Sequence, residues 1–199
     1  MSQYTTYDDL LAAITVDEGR EIINPATEEV VGVAPEGNVE ELNAAVERAV
    51  QAQKSFAKLS DSERCDLLLK AADAIEAAAE PLVELLSREQ GKPLNGPNAR
   101  FEVGACSAWL RATASFESPD YTAVDDDITA TVHYRPLGVV GAIGPWNWPM
   151  MITIWQIAPA LRMGNAVVVK PSEYTPLSVL ALIKVFNSVL PEGVLQVVT

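Results

Sequence analysis

Residues 137–199 restrict the possible folds more than any other part of the sequence. An apolar run at 137–143 lacks alternating polar residues, which is typical of a strand buried on both faces. A helical stretch at about 150–163, a second apolar run at 166–169, a helix at about 177–190 and a third run then follow. Because strand–helix–strand connections are right-handed, this order predicts a parallel sheet with helical crossovers, whose ligands bind at the carboxyl ends of the strands.

The N-terminal part of the chain is predicted to be helical. Capping-box patterns at residues 38–41 and 60–63 predict the starts of two helices. A third helix is expected to begin near Pro81 and to end at Gly91. A fourth, at about 99–116, has an apolar face that we expect to be buried, made of Phe101, Ala105, Ala108, Trp109 and Ala112.

Between these parts lies a segment with strand periodicity. Apolar and polar residues alternate from Ile128 to Tyr134, which predicts a half-buried antiparallel strand at about 128–135. His133 falls on the polar side and is expected to be exposed without a catalytic role, and the acidic run at 125–127 is expected to be a solvated turn. The predicted fold class is therefore α/β, with N-terminal helices packed on a parallel Rossmann-like sheet. The predicted divisions are 1–118, a helical part; 119–136, a strand segment; and 137–199, the parallel sheet.

Charge and composition exclude several classes of function. The formal net charge of −13 disfavours nucleic acid and anionic membrane surfaces as partners. Two cysteines without a C-x-x-C pair, and a single histidine, argue against a disulfide framework or a structural zinc site. Residues 1–6 lack the basic and apolar segments of a secretory signal, and no run of about 18 apolar residues predicts a membrane span. The expected location is the cytoplasm.

One candidate ligand loop, Gly144–Pro145–Trp146–Asn147–Trp148–Pro149, follows the first parallel strand. Its prolines and tryptophans stiffen the loop around a single amide side chain, Asn147. A rigid Asn can donate hydrogen bonds to a developing oxyanion. Spacing alone favours a second interpretation, in which Asn147 caps the following helix.

A second candidate loop, Lys170–Pro171–Ser172–Glu173, ends the second parallel strand. An acidic residue at this place binds ribose hydroxyls in dinucleotide-binding folds, and its charge disfavours a 2′-phosphate. Lys170 offers donors to ribose or phosphate. The alternative of an exposed Lys and a helix-start Glu is about equally consistent with the pattern.

Other motifs carry little chemistry. The spacing of Gly138, Gly141 and Gly144 is not G-x-G-x-x-G, so these glycines are interpreted as strand packing and strand exit. Cys106 has the position of a core residue in the middle of a helix, and Cys65 lies outside the parallel unit. Neither is expected to be a nucleophile.

At these segments the sequence resembles the aldehyde dehydrogenase superfamily of NAD(P)-dependent enzymes. The motifs that carry the resemblance run along nearly the whole chain: Asn24–Pro25–Ala26–Thr27, Glu89–Gln90–Gly91–Lys92–Pro93–Leu94, Gly144–Pro145–Trp146–Asn147–Trp148–Pro149 and Val168–Val169–Lys170–Pro171–Ser172–Glu173.

The resemblance implies a role for each matching residue. Asn147 is the side-chain half of the oxyanion hole. The cofactor groove is lined by Ile143, Gly144, Pro145 and Trp146. Lys170 and Glu173 hold the adenosine ribose, with Pro171 and Ser172 shaping the wall. The implied cofactor is NAD, with NADP less favoured because of Glu173.

The resemblance also implies partners and missing parts. The substrate is an aldehyde, oxidised to a carboxylic acid through a cysteine thiohemiacetal, and the strand near 128–134 pairs subunits into a homo-dimer or homo-tetramer. The family's nucleophilic cysteine and general-base glutamate match no residue here, so the chain is expected to be an N-terminal portion that is inactive alone. The alternative is a truncated, non-catalytic relative that serves as a nucleotide-binding or subunit-interaction module.

Overall fold

The computed structural model describes residues 4–117, 120–125 and 127–199 of the chain. The predicted boundary at residues 118 and 119 and the middle of the acidic turn, residue 126, lie outside these ranges. In chain order the elements are α1 (Tyr7–Ala12), β1 (Arg20–Ile23), β2 (Val30–Ala34), α2 (Val39–Phe56), α3 (Asp61–Ala77), α4 (Ala79–Gln90), α5 (Ala99–Ser115), β3 (Tyr121–Asp125), β4 (Ile128–Val132), β5 (Val139–Ile143), α6 (Pro149–Arg162), β6 (Ala166–Lys170), α7 (Pro176–Asn187) and β7 (Leu195–Val197).

The three C-terminal strands form the predicted parallel sheet. The strand order is β5-β6-β7, with α6 and α7 as the crossovers between successive strands. The central strand β6 is buried along Ala166–Val169 because helices cover both of its faces. Val167 and Val169 belong to the main core with α6 and α7, whereas Ala166 and Val168 pack against α2 on the other face. The prediction of a mixed α/β fold with a parallel sheet is confirmed.

The first parallel strand departs from the prediction of burial on both faces. Leu137 precedes β5 and is 90% exposed, and Ile143 at its end is 72% exposed. Within the described residues β5 pairs only with β6, so it forms an edge of the sheet. Its α2-facing side opens into a cleft because α2 covers only part of that face.

The helix boundaries follow the local signals in the sequence. Both predicted capping boxes are present, at Asn38 with Glu41 and at Ser60 with Glu63. The helix containing Pro81 ends at Gly91, whose φ of 71° is a left-handed conformation that glycine adopts without strain.

The buried face of α5 was predicted wrongly. Phe101 and Trp109 are 53% and 42% exposed, while Glu102, Cys106 and Leu110 are fully buried. Both faces of this helix carry apolar residues, so periodicity alone could not choose between them. The face that carries Glu102, Cys106 and Leu110 packs against α3 and α6, so the Glu102 carboxylate lies in the interior.

The antiparallel strand predicted at about 128–135 is present as β4, and it forms a hairpin with β3, a strand that was not predicted. The prediction that it is half-buried is wrong, because four of its five residues are exposed. Ile128 and Val124 are 71% and 70% exposed, because nothing among the described residues covers the hairpin. His133 is exposed, as expected, and its Nδ1 lies 3.0 Å from Asp120 Oδ2. The helices in the described ranges are too short or too polar to cross a lipid bilayer.

Candidate functional site

The two candidate loops leave neighbouring strands at the same edge of the sheet. Ile143 and Lys170, the last residues of β5 and β6, are in register, and the Gly144 N–H donates a hydrogen bond to the Lys170 carbonyl at 2.9 Å. A Cβ at Gly144 would come within 2.6 Å of Thr153 Oγ1 on α6, so strand exit at this point requires glycine. The packing interpretation applies to Gly144 only. A Cβ at Gly138 or Gly141 would meet nothing within 4 Å.

Asn147 does not cap the following helix, contrary to the interpretation that spacing favoured. The residue before α6 is Trp148, which makes no side-chain cap. Instead Glu102 Oε1 accepts hydrogen bonds from the N–H groups of Met150 and Met151, at 2.9 and 3.2 Å. Asn147 is exposed, and none of the hydrogen bonds among the described residues uses its side-chain amide. That amide is therefore available to a ligand.

A buried ion pair between Lys92 and Glu102 contacts the end of the Asn147 loop. Lys92 Nζ lies 2.5 Å from Glu102 Oε2, and the two side chains are only 10% and 0% exposed. The same ammonium donates to the Asn147 carbonyl at 3.0 Å and lies 3.9 Å from the centre of the Trp148 ring. Lys92 therefore holds the end of this loop through a hydrogen bond and a cation–π contact, while its own charge is paired with Glu102.

Gln90 makes further contacts with the loop. Its Nε2 donates to the Trp146 carbonyl at 2.6 Å and to the Asn147 carbonyl at 2.8 Å. On α6, Gln156 Nε2 donates to the Ile143 carbonyl at 3.0 Å. Side chains from two helices therefore hold the main chain of the loop, through Gln90, and of the strand end that precedes it, through Gln156.

The second loop presents a cation and an anion side by side. Lys170 Nζ lies 3.8 Å from Glu173 Oε2, and both side chains are about half exposed. Ser172 is buried, and its hydroxyl accepts a hydrogen bond from the Tyr174 N–H at 3.3 Å. A hydrogen bond from its own N–H, and secondarily the charge of Lys170, lower the pKa of Glu173 below the ordinary value. An ionised acceptor next to an ammonium donor is suited to vicinal hydroxyl groups.

An apolar cleft of about 640 Å³ lies between α2 and the open face of the sheet. Ile143 and Lys170 both contribute to its wall, whereas Pro145, Trp146 and Asn147 do not. A smaller cavity of about 100 Å³ adjoins the second loop and is lined by Lys170, Pro171, Ser172 and Glu173 together with Arg20 and Glu36. The described residues hold no cluster of three or more His, Cys, Asp or Glu side chains suited to a metal ion.

Glu89 anchors the helix that follows the second loop. Its two carboxylate oxygens accept hydrogen bonds from the N–H groups of Leu177 (2.6 Å) and Ser178 (2.9 Å), at the start of α7. Burial raises the pKa of Glu89 from 4.5 to about 7, although the hydrogen bonds from Ser178 and Leu177 oppose this and the charge of Glu102 adds to it. Sequence reasoning missed Glu89, Gln90, Lys92 and Glu102. The available signal was a charged residue, Glu102, on the helical stripe of Cys106 and Leu110.

This raised pKa predicts a pH-dependent stability. Between about pH 4.5 and 7 the folded chain binds a proton at Glu89 that the unfolded chain has released, so the unfolding free energy falls as pH rises through that range. In thermal melts from pH 4 to 8, the Tm of the wild type minus the Tm of Glu89→Gln should decrease as pH rises. A constant difference in Tm would contradict this.

The matched control is Glu63→Gln, because the hydrogen bonds from Ser60 lower the pKa of that exposed carboxylate. The stabilising contribution of Glu63 should be constant above about pH 4.5 and should be lost as pH falls below that value, which is the opposite direction to Glu89.

Neither cysteine has the properties of an activated thiolate. Cys106 is fully buried, and burial raises the pKa of its thiol well above 9.0. Burial also raises the pKa of Cys65 on α3, despite the opposing charge of Arg64.

Comparison with known proteins identifies the family. The aldehyde dehydrogenase family model matches residues 14–199. The phenylacetaldehyde dehydrogenase of Pseudomonas fluorescens is 39% identical over 196 residues, which cover 92% of this chain and 39% of that protein. Among solved structures, the NADP-dependent glyceraldehyde-3-phosphate dehydrogenase of Bacillus halodurans, in complex with NADP, superposes with a TM-score of 0.86 at 35% identity, over 92% of this chain and 40% of that one. The succinate-semialdehyde dehydrogenase of Burkholderia pseudomallei superposes with a TM-score of 0.85 at 32% identity, over 92% and 39% of the two chains.

The chain spans about two fifths of the length of these relatives. The family match extends over both candidate loops, the sheet that carries them and the helices that support them. The chain therefore belongs to the aldehyde dehydrogenase family.

Proposed function

We propose that the whole protein, meaning the polypeptide in which these residues occur, oxidises an aldehyde to a carboxylic acid with NAD or NADP. The chain contributes part of the cofactor site and the oxyanion-binding Asn147. The observation that carries the proposal is the 2.9 Å hydrogen bond from Gly144 to Lys170, which holds the two candidate loops together at one sheet edge. That edge is where parallel sheets bind ligands.

Asn147 acts on the oxygen of the reacting carbonyl. When the nucleophilic thiolate, supplied from outside these residues, adds to the aldehyde, the carbonyl oxygen becomes negative in the thiohemiacetal. An amide NH₂ donates more strongly to that oxyanion than to the neutral carbonyl, so the bond stabilises the transition state more than the ground state. Because the Asn147 amide has no partner among the described residues, it breaks no hydrogen bond before it acts.

The second loop and the strand exit bind the dinucleotide. A bound NAD or NADP would supply the hydride acceptor for this oxidation. Lys170 Nζ would donate to one ribose hydroxyl and the Glu173 carboxylate would accept from a hydroxyl, while Pro171 and Ser172 would shape the wall of the site. At the strand exit the cofactor groove is formed by Ile143, Gly144, Pro145 and Trp146. The residues present fit this group, because an exposed cation and anion 3.8 Å apart adjoin an apolar cleft.

NAD is the proposed cofactor because the proposal assigns Glu173 to the adenosine ribose, which carries the 2′-phosphate in NADP. A carboxylate repels that phosphate and accepts from the free hydroxyl of NAD. The Bacillus halodurans relative is in complex with NADP, so NADP is the alternative cofactor that the experiment has to distinguish.

Calorimetric titration of the 199-residue chain tests this site. We expect AMP to bind more tightly than 2′-phospho-AMP. Glu173→Gln should weaken AMP binding by about tenfold, since a hydrogen bond to a charged group contributes about 1.5–3 kcal/mol. The same variant should reduce the difference in affinity between AMP and 2′-phospho-AMP. Glu192→Gln, in the turn before β7, is the matched control. An unchanged preference in Glu173→Gln would remove Glu173 from the cofactor site.

The same preparation tests the claim about the nucleophile. Since neither Cys65 nor Cys106 has a lowered pKa, we expect no aldehyde-dependent NADH formation from this chain alone. Turnover above the reagent blank would contradict that expectation.

A second role, subunit contact in a homo-dimer or homo-tetramer through the strand segment predicted at 119–136, is favoured by the exposed hairpin of β3 and β4. Its apolar side chains Tyr121, Val124 and Ile128 are all more than half exposed. An apolar hairpin of this kind is stabilised when another chain covers it. A monomer by light scattering of the whole protein would contradict this role.

The free thiols of Cys65 and Cys106 are compatible with the proposed cytoplasmic location.

A further inference from the structure

We infer that Gln90, the last residue of α4, is the positioning residue that sets the main-chain orientation of Asn147 by bonding to the two carbonyls on either side of its Cα. This inference rests on the proposed role of Asn147 as an oxyanion donor. Gln90 contacts neither substrate nor cofactor in this proposal and acts through the two main-chain carbonyls that flank the Asn147 Cα.

The bonding pattern determines which end of the amide faces the loop. Gln90 Nε2 lies 2.6 Å from the Trp146 oxygen and 2.8 Å from the Asn147 oxygen. Both neighbours are acceptors, so only the NH₂ end can face them, and each of its hydrogens serves one carbonyl. The other end, Oε1, is buried without a hydrogen-bond partner in the described structure. The side chain is therefore held through its donors.

These two bonds fix both backbone angles of Asn147. The Trp146 carbonyl belongs to the peptide plane that precedes the Asn147 Cα, and the Asn147 carbonyl belongs to the plane that follows it. Peptide units are planar, so the orientations of the two planes define φ and ψ of the residue between them. With φ and ψ fixed, the direction of the Cα–Cβ bond is fixed as well. The Gln90 amide thus sets the direction in which the Asn147 side chain leaves the main chain.

Gln90 is itself held between two anchored neighbours. On one side, Glu89 is buried and accepts from two N–H groups of α7. On the other side, Lys92 is paired with Glu102 and donates to the Asn147 carbonyl at 3.0 Å. Gly91 lies between them in the left-handed conformation that ends the helix. The segment is consequently rigid enough to hold the loop.

Small displacements at an oxyanion site have large kinetic effects. A misplacement of about 1 Å can lower a rate by about 10²-fold. We expect Gln90→Met, which keeps the length of the side chain and removes both donors, to lower kcat of the whole protein by about 10- to 100-fold. KM for NAD should change by less than about threefold, because the ribose loop does not depend on these bonds.

A double-mutant cycle with Asn147→Ala separates positioning from a structural role. If Gln90 acts through Asn147, adding Gln90→Met to Asn147→Ala should lower kcat no further, whereas the change in Tm caused by Gln90→Met should be the same in both backgrounds. An equal loss of kcat in both backgrounds would overturn the inference. If Gln90→Met does not fold, Gln90→Ala removes the same donors without added bulk and is measured in the same cycle.

The matched control is Gln53→Met. Gln53 makes a similar bond, from Nε2 to the Gly164 carbonyl at 3.1 Å, at the turn between α6 and β6, and its loss should leave kcat unchanged. The cycle also separates the two proposals. An unchanged kcat in Asn147→Ala rejects the proposed role of Asn147 and with it the inference, whereas a lowered kcat there with an unchanged kcat in Gln90→Met rejects only the inference about Gln90.

Discussion

Replacing Asn147 with alanine in the whole protein is expected to lower kcat by about 10²- to 10³-fold. The reason is that the lost hydrogen bond forms fully only when the carbonyl oxygen carries negative charge, so its loss raises the barrier more than it weakens substrate binding. Binding of NAD should be unchanged, since the proposed ribose contacts are made by Lys170 and Glu173 and the Asn147 side chain is assigned to the carbonyl oxygen of the substrate. Steady-state kinetics together with NAD titration measures both quantities.

Two variants make the interpretation specific. Asn147→Asp keeps the shape and removes the NH₂ donors, so its loss of kcat should be at least as large as that of Asn147→Ala. Asn43→Ala, at an exposed position on α2, is the control for an Asn-to-Ala change and should have wild-type kinetics. Wild-type turnover in Asn147→Ala would remove this residue from the mechanism.

Replacing Glu102 with alanine is expected to lower the free energy of unfolding by about 3–5 kcal/mol. The change leaves Lys92 without its ion-pair partner at a position where only 10% of its side chain is exposed. It also leaves the N–H groups of Met150 and Met151 at the start of α6 without an acceptor. Both losses are costly because water cannot fully replace Glu102 in the interior. Urea unfolding of the chain, with the m-value checked for constancy, measures the effect.

The exposed pair of Glu80 and Arg100 supplies the control, since Arg100 Nη2 lies 3.0 Å from Glu80 Oε2 at the surface. Glu80→Ala should have a much smaller effect, because water already solvates both groups of an exposed pair. The double variant Glu102→Ala with Lys92→Met should lose less stability than Glu102→Ala alone, because no unpaired charge then stays buried. Equal losses from Glu102→Ala and Glu80→Ala would show that the buried network contributes little.

Local patterns predicted the helices and strands because local chemistry decides them. The capping boxes at Asn38 and Ser60 and the left-handed Gly91 satisfy or end helices within four residues of chain. Local patterns did not predict which side of an element would be covered. The α5 face with Phe101 was expected inside and lies outside, because burial depends on which neighbours pack there.

The candidate site also has parts that local sequence patterns predicted and parts that they did not. The sequence placed the Asn147 loop and the Lys170 loop at the ends of successive parallel strands, and the register of Ile143 with Lys170 brings them together. It did not indicate that Glu102 would reach α6 from 48 residues away, or Glu89 reach α7 from 88 residues away. Contacts at such separations leave no periodic trace in the sequence.

The sequence by itself determined the order of strands and helices, their caps and the family motifs at the two loops. These follow from hydrophobic period and turn chemistry, which act over a few residues. Only the tertiary structure decided what supports the loops: the buried Glu89 and Glu102 and the partly buried Gln90 and Lys92. Their positions depend on the packing of α4 and α5 against α6 and α7. A buried carboxylate is tolerated there only because distant N–H groups and an ammonium meet it.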